Sequence, residues 1–96
     1  MDIGGCDVRI DNPPRRDYFR AILEIWPDAV MERDELDPNH MFVYKNADAR
    51  DAWEKHGTVQ STMGQAIFII SEPDAVVLVV DDENDPETKR ILDLFK

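Results

Sequence analysis

The densest set of possible metal ligands in this 96-residue chain is Asp81-Asp82-Glu83-Asn84-Asp85-Pro86-Glu87. Side-chain oxygens recur there at the close spacing a hard cation such as calcium uses. An EF-hand loop needs glycine at its sixth position for the sharp turn and glutamate at its twelfth to close the coordination sphere. Counted from Asp81, those positions hold Pro86 and Leu92, so the run reads as an acidic turn that caps a helix, and no metal is expected. His40 and His56, the only imidazoles, stand in neither H-x-x-x-H nor H-E-x-x-H. His56, next to Gly57, suits a cation at a helix C-terminus, and His40 falls in a turn. The candidate nucleophiles Cys6 and Ser61 have no base near them in sequence, and Cys6, beside Gly5, lacks the fixed electropositive setting that stabilises a thiolate. Thr58 to Gly64 holds one glycine and no lysine, which excludes a phosphate loop. No catalytic residue and no cofactor is expected.

What remains is chemistry of recognition. Arg9, Arg15, Arg16 and Arg20 cluster in a chain whose balance is otherwise acidic, 21 Asp and Glu against 11 Lys and Arg, for a net charge of -10. Three of these arginines fall in or beside the first turns of an expected helix, where positive charge opposes the helix dipole. Asp11 and Asp17 offset this in part, so the cluster reads either as a solvated face or as a carboxylate-recognising patch. Trp26 and Trp53 close the apolar faces of two expected helices. Core packing is their ordinary role, and an exposed anchor for a partner is the alternative. Together Arg9, Arg15, Arg16, Arg20, Trp26 and Trp53 form the candidate partner-binding set.

The elements that must position these residues centre on Gln65 to Asp82. There Ala66-Ile67-Phe68-Ile69-Ile70 and Ala75-Val76-Val77-Leu78-Val79-Val80 flank Ser71-Glu72-Pro73-Asp74. Unbroken β-branched runs on both sides of a Pro-Asp turn predict a hairpin covered on both faces, in the middle of a sheet. Residues 1–11 are expected to be a flexible arm or, over Asp7 to Ile10, a short edge strand. Asn12 is expected to cap a first helix with Pro13 and Pro14 in its first turn, running to Trp26, where Pro27 stops it. Tyr18, Phe19, Ile22, Leu23 and Trp26 form its apolar stripe. A weak strand (Asp28 to Arg33) and a second strand (Met41 to Tyr44) make a first hairpin around Asp37-Pro38. Asn46 caps a second helix, Ala47 to His56, which Gly57 ends. Thr58 to Gly64 reads as a polar surface loop, and Asp85 caps a third helix beginning at Pro86.

The expected architecture is therefore a single α+β domain over residues 12–96 with the order α-β-β-α-β-β-α and a four-stranded, largely antiparallel sheet. One cysteine excludes an internal disulfide and fits a reducing compartment, and no run reaches the roughly 18 apolar residues of a membrane span. A cytoplasmic protein is expected. Net acidity argues against nucleic acid and anionic membranes as partners and favours a basic protein partner. A homodimer is also expected, because three short helices leave sheet surface to be covered. Composition alone is similar to that of small acidic inhibitors and immunity proteins that neutralise basic nucleases, a likeness that rests on no motif. The expected function is a non-catalytic acidic protein-binding module. The competing class is a small-molecule site or enzyme assembled from residues far apart in sequence, such as Arg16, Tyr44 and His40.

Overall fold

A computed structural model describes residues 5–96. The chain runs through β1 (Cys6–Asp11), α1 (Tyr18–Ile25), β2 (Val30–Arg33), β3 (His40–Tyr44), α2 (Ala47–His56), a 3-10 turn (Gln60–Thr62), β4 (Ala66–Ser71), β5 (Ala75–Val80) and α3 (Pro86–Leu94). The α+β class is observed, but the sheet has five strands rather than four, in the order β1-β5-β4-β3-β2, and every pairing is antiparallel. The additional strand is the N-terminal segment. Cys6 to Asp11 pairs with β5 over six residues, from Cys6 opposite Val80 to Asp11 opposite Ala75. The sheet domain thus begins before residue 12, and only residues 1–4 of the expected arm lie outside the described residues. Short alternation of polar and apolar residues is weak evidence for a strand in isolation, and here β5 supplies the template that makes it one.

The hairpin occupies the centre of the sheet. Its turn closes through the Glu72 N–H, which donates to the Ala75 carbonyl at 2.9 Å. Alternation then sorts the side chains into two layers. Val76, Leu78 and Val80 of β5, Ile67 and Ile69 of β4 and Val43 of β3 face α1 and α3, whose Ile22, Trp26, Ile91, Leu92 and Phe95 complete one core. On the opposite face Tyr44 and Ala66 pack with Ala49 of α2, flanked by Val30, Phe42 and Trp53. The sheet is therefore a middle layer with helices on both sides, which is why the central strands lack polar residues.

Three helix boundaries follow the sequence signals. Asn46 caps α2 through a side-chain bond to the Ala49 N–H, and Gly57 ends it with φ of 70°. Asp85 caps α3 through the Thr88 N–H, with Pro86 opening the helix. The first helix is shorter than expected: Asp17, not Asn12, is the cap, and Pro13 to Arg16 stay outside. A residue before proline is driven from the helical region, so Pro13 ahead of Pro14 cannot start a helix. Asn12 instead adopts a φ of 49° and donates its N–H to Asp74, linking β1 to the hairpin turn. The expected polar loop at Thr58 to Gly64 also differs, since Val59 is fully buried and Thr62 turns inward to bond its carbonyl.

That inward loop explains how β1 starts. Gly5 has a φ of 83°, and a Cβ there would lie 2.5 Å from both the Val59 side chain and the Val80 carbonyl. Gly5→Ala is expected to cost about 1–3 kcal/mol from the positive φ and the overlap together. Urea denaturation checks this: a midpoint equal to that of the wild type would show that the start of β1 does not pack against this loop.

Candidate functional site

A concavity lined by apolar side chains lies where the entry to α1 meets the end of the sheet. It is a cleft of about 430 Å³. Its floor comes from Met41 of β3, Ile69 of β4 and Val76 of β5, and its wall from Tyr18, Phe19 and Ile22 of α1 and Phe95 after α3. The register explains this assembly. Arg33 pairs with Met41 and Met41 with Ile69, so these three side chains share the face that α1 covers. Tyr18 stacks on Phe95 with ring centroids 4.2 Å apart and donates its hydroxyl to the Pro14 carbonyl, which holds the chain entering α1 against the helical layer.

Charge is placed around the cleft, not in its floor. Arg16 and Arg33 line it together with Asp17 and Glu72. Both carboxylates already have partners: Asp17 caps the Arg20 N–H at 3.1 Å, and Glu72 receives Arg9 at 2.7 Å. No described carboxylate lies within salt-bridge distance of Arg16 or Arg33. Phe19 of the wall and Leu23, one turn further along α1 and outside the cleft, are 47% and 43% exposed. They were expected in the core, but α1 is eight residues long and buries its Ile22 face, so this pair points outward. The site therefore combines apolar surface with two cations that have no carboxylate partner among the described residues.

The candidate set is divided by the fold. Arg15 and Arg16 lie at the entry to α1, and both border a neighbouring depression with Pro13, Pro14 and the hairpin turn. Arg9 is opposite Val77 on the other face of the sheet, where the carboxylates of Glu72, first, and Asp11 raise its pKa. Arg20 is an exposed residue of α1. The four arginines thus make no single patch, because β-strand alternation sends Arg9 to the face away from α1. Trp26 is a core residue, 1% exposed, with its indole N–H donating to Glu87 at 3.1 Å. Trp53 is half-buried in an aromatic group with Phe42 and Tyr44 at centroid distances of 5.2 and 6.4 Å.

The dispersed set Arg16, Tyr44 and His40 is likewise not brought together. Tyr44 and His40 alternate onto the α2 face, whereas Arg16 lines the cleft on the opposite side. Burial, with Glu32 and Glu54 nearby, pushes the Tyr44 phenol up to about 12. His40 stands between Asp34 at 3.6 Å and Asp37 at 3.2 Å. Ser61 donates its hydroxyl to the Thr58 carbonyl at 2.6 Å, a bond within the turn. Cys6 is exposed. Among the described residues no three His, Cys, Asp or Glu side chains are grouped as metal ligands, and no helix is long and apolar enough to cross a membrane.

Sequence reasoning missed Arg33 and the cleft it borders. An arginine at the end of a short edge strand carries the same signal as a charge that discourages aggregation. Only the pairing of β2 with β3 shows which face it joins. The chain matches no protein-family model, no curated protein and no solved structure.

Lys45 and Glu87 tie this helical layer to the sheet. The carboxylate accepts from Lys45 at 3.1 Å and from Trp26, and the two bonds hold it below its ordinary value. A depressed carboxyl contributes stability above its unfolded value of about 4.5 and loses it as pH falls through the folded value. With Lys45 and Glu87 side chains 35% and 44% exposed, solvent screening keeps the pair's share under about 1 kcal/mol. Glu87→Gln should lower the unfolding free energy by that order at neutral pH and match wild type well below pH 4.5. Denaturation at the two pH values measures it, and an equal difference at both would show that the ion pair is not the source of the stability.

Proposed function

We propose that this protein is a non-catalytic protein-binding module that seats an apolar side chain of its partner in the cleft beside α1, with Arg16 and Arg33 pairing with a carboxylate next to that anchor. The observation that carries this reading is two arginines, without a described carboxylate partner, beside an apolar cleft in a chain of net charge -10. A cation in such surroundings is best matched by an anion, and arginine binds carboxylates in a bidentate fork. The exposed Phe19 and Leu23 extend the apolar surface beyond the cleft, which favours an extended peptide segment over a compact ligand.

The small-molecule reading has one observation of its own, since about 430 Å³ lies within the range of ligand pockets. A globally basic partner is supported by net charge alone. Several aspartates that contribute to that charge have local structural work. Asp17, Asp34, Asp37, Asp82 and Asp85 each accept a backbone N–H in a cap or turn.

Selection from a random peptide library displayed on phage, against wild type and Arg16→Glu/Arg33→Glu in parallel, tests the proposal. Peptides pairing a large apolar residue with Asp or Glu should be enriched on wild type only, at tenfold or greater preference over the variant, the order expected from removing one charge-assisted hydrogen bond. Enrichment that is equal on both proteins, or carries no acidic residue, would overturn it. Saturation of the cleft by small aromatic carboxylates with no peptide selected would transfer the site to the small-molecule class.

A further inference from the structure

The expected basis for a homodimer was sheet surface left bare by three short helices. The central strands leave little of that surface, since Val79 and Phe68 on the α2 face are 4% and 9% exposed and α1 and α3 pack on the opposite face. What remains open is an edge. β1 is the terminal strand of the sheet, and no other described segment pairs with its outer side. The Asn12 N–H bonds inward to Asp74. Because backbone groups alternate in direction along an antiparallel strand, Ile10 and Val8 also bond inward, and Asp7, Arg9 and Asp11 present their N–H and C=O groups outward. These outward groups need a hydrogen-bond partner that water or another strand can supply.

We infer that β1 pairs antiparallel with β1 of a second copy across a two-fold axis at Val8, joining two five-stranded sheets into one of ten strands. The side chains select this register. Residues opposite one another must share a face, so only an axis passing through a residue is allowed. An axis at Arg9 sets Arg9 against Arg9 and Asp7 against Asp11, which repel. An axis at Ile10 sets Arg9 against Asp11 but needs Asn12 opposite Val8, and Asn12 has left the extended conformation at φ 49°. An axis at Val8 keeps Cys6 to Ile10 of both copies within their strands and sets Asp7 against Arg9 twice. In that register Asp7 and Arg9 are the pair whose outward backbone groups meet, and the two Val8 side chains face each other.

The surroundings accept this arrangement. Val8 and Ile10 are only half-buried on the side that α3 covers, and a partner strand supplies the missing apolar contact. Next to Val8 lies an open depression bounded by Lys89, Leu92, Asp93 and Lys96 of the α3 segment, so that layer leaves space beside the strand. Charge of one sign along an edge repels a second copy of itself. Asp-Val-Arg-Ile-Asp instead alternates in sign along one face, which makes it complementary to its own reverse; in the single chain Arg9 holds Glu72 at 2.7 Å and Asp11 at 3.1 Å, both solvent-exposed pairs that the Asp7 of a second strand joins or replaces. The opposite edge, β2, has only four residues and offers a shorter row of backbone groups.

Charge exchange reads the register directly. Asp7→Arg and Arg9→Asp should each be monomeric by sedimentation equilibrium, because each sets like charges opposite one another across the axis. Their equimolar mixture should form a heterodimer, since every pairing of position 7 with position 9 then joins an arginine of one chain to an aspartate of the other. Wild type should sediment as a concentration-dependent dimer of the 11.1 kDa chain, with each single variant weakening self-association tenfold or more. Val8→Cys in a Cys6→Ser background should oxidise to a covalent dimer faster than Lys55→Cys in the same background, since facing residues of a non-hydrogen-bonded pair fall within disulfide reach. Far-UV circular dichroism establishes that each variant is folded. A wild type that stays a single 11.1 kDa species at its highest soluble concentration overturns the inference. A mixture that stays monomeric, or Val8→Cys oxidising no faster than the Lys55 control, overturns the Val8 register.

Discussion

The structure depends on one strand being enclosed on all sides. Leu78 and Val80 are 0% exposed beneath α1 and α3, Val79 is 4% exposed on the other face, and β1 and β4 take both backbone edges of β5. A polar side chain anywhere on that strand would lose water without gaining a partner, which accounts for the composition Ala-Val-Val-Leu-Val-Val. The other elements follow as covers. Two helices take one face, α2 and the inward-turned Val59 segment take the other, and β1 takes the edge that the hairpin leaves open. Because β1 is itself an edge, enclosing β5 transfers the open backbone row to the next strand.

Acidity, the strongest global property of the chain, has a local explanation in many places. Aspartate side chains accept backbone N–H groups at the caps of α1 and α3 and in the turns at Asp34, Asp37 and Asp82. Short elements create many ends, and each end leaves backbone donors to satisfy. A chain of 96 residues with eight strands and helices besides its 3-10 turn therefore uses aspartate often. The arginines behave differently. Arg9 and Arg50 are consumed by Glu72, Asp11, Glu32 and Glu54, while Arg16 and Arg33 border the cleft without a described acidic partner. On the proposed reading, the feature that recognises a partner is thus the minority charge.

Much of the fold was legible locally. The hairpin, α2 and α3 were readable because each carries a self-contained signal: β-branched runs about Pro73-Asp74, Asn46 with Gly57, and Asp85 with Pro86. The beginning of α1 was misread because an asparagine before two prolines satisfies the rule for a cap, while the conflicting constraint on Pro13 removes the helix it would cap. The exposure of Phe19 and Leu23 was invisible for a related reason. Their spacing fits the apolar stripe, and only the angle at which α1 meets the sheet decides which side of a broad stripe is buried.

By itself the sequence determined the class of the protein, the central hairpin, the caps of its later helices and the absence of local catalytic motifs, since all of these depend on neighbours along the chain. Tertiary structure alone decided between the arm and the edge strand that the sequence allowed around Asp7 to Ile10, that Arg9 leaves the other arginines for the opposite face, and that Arg33 joins Arg16 at an apolar cleft. Each of those is a matter of which strand pairs with which and in what register. A shift of one residue would exchange the faces, and nothing local to β1 or β2 encodes that choice.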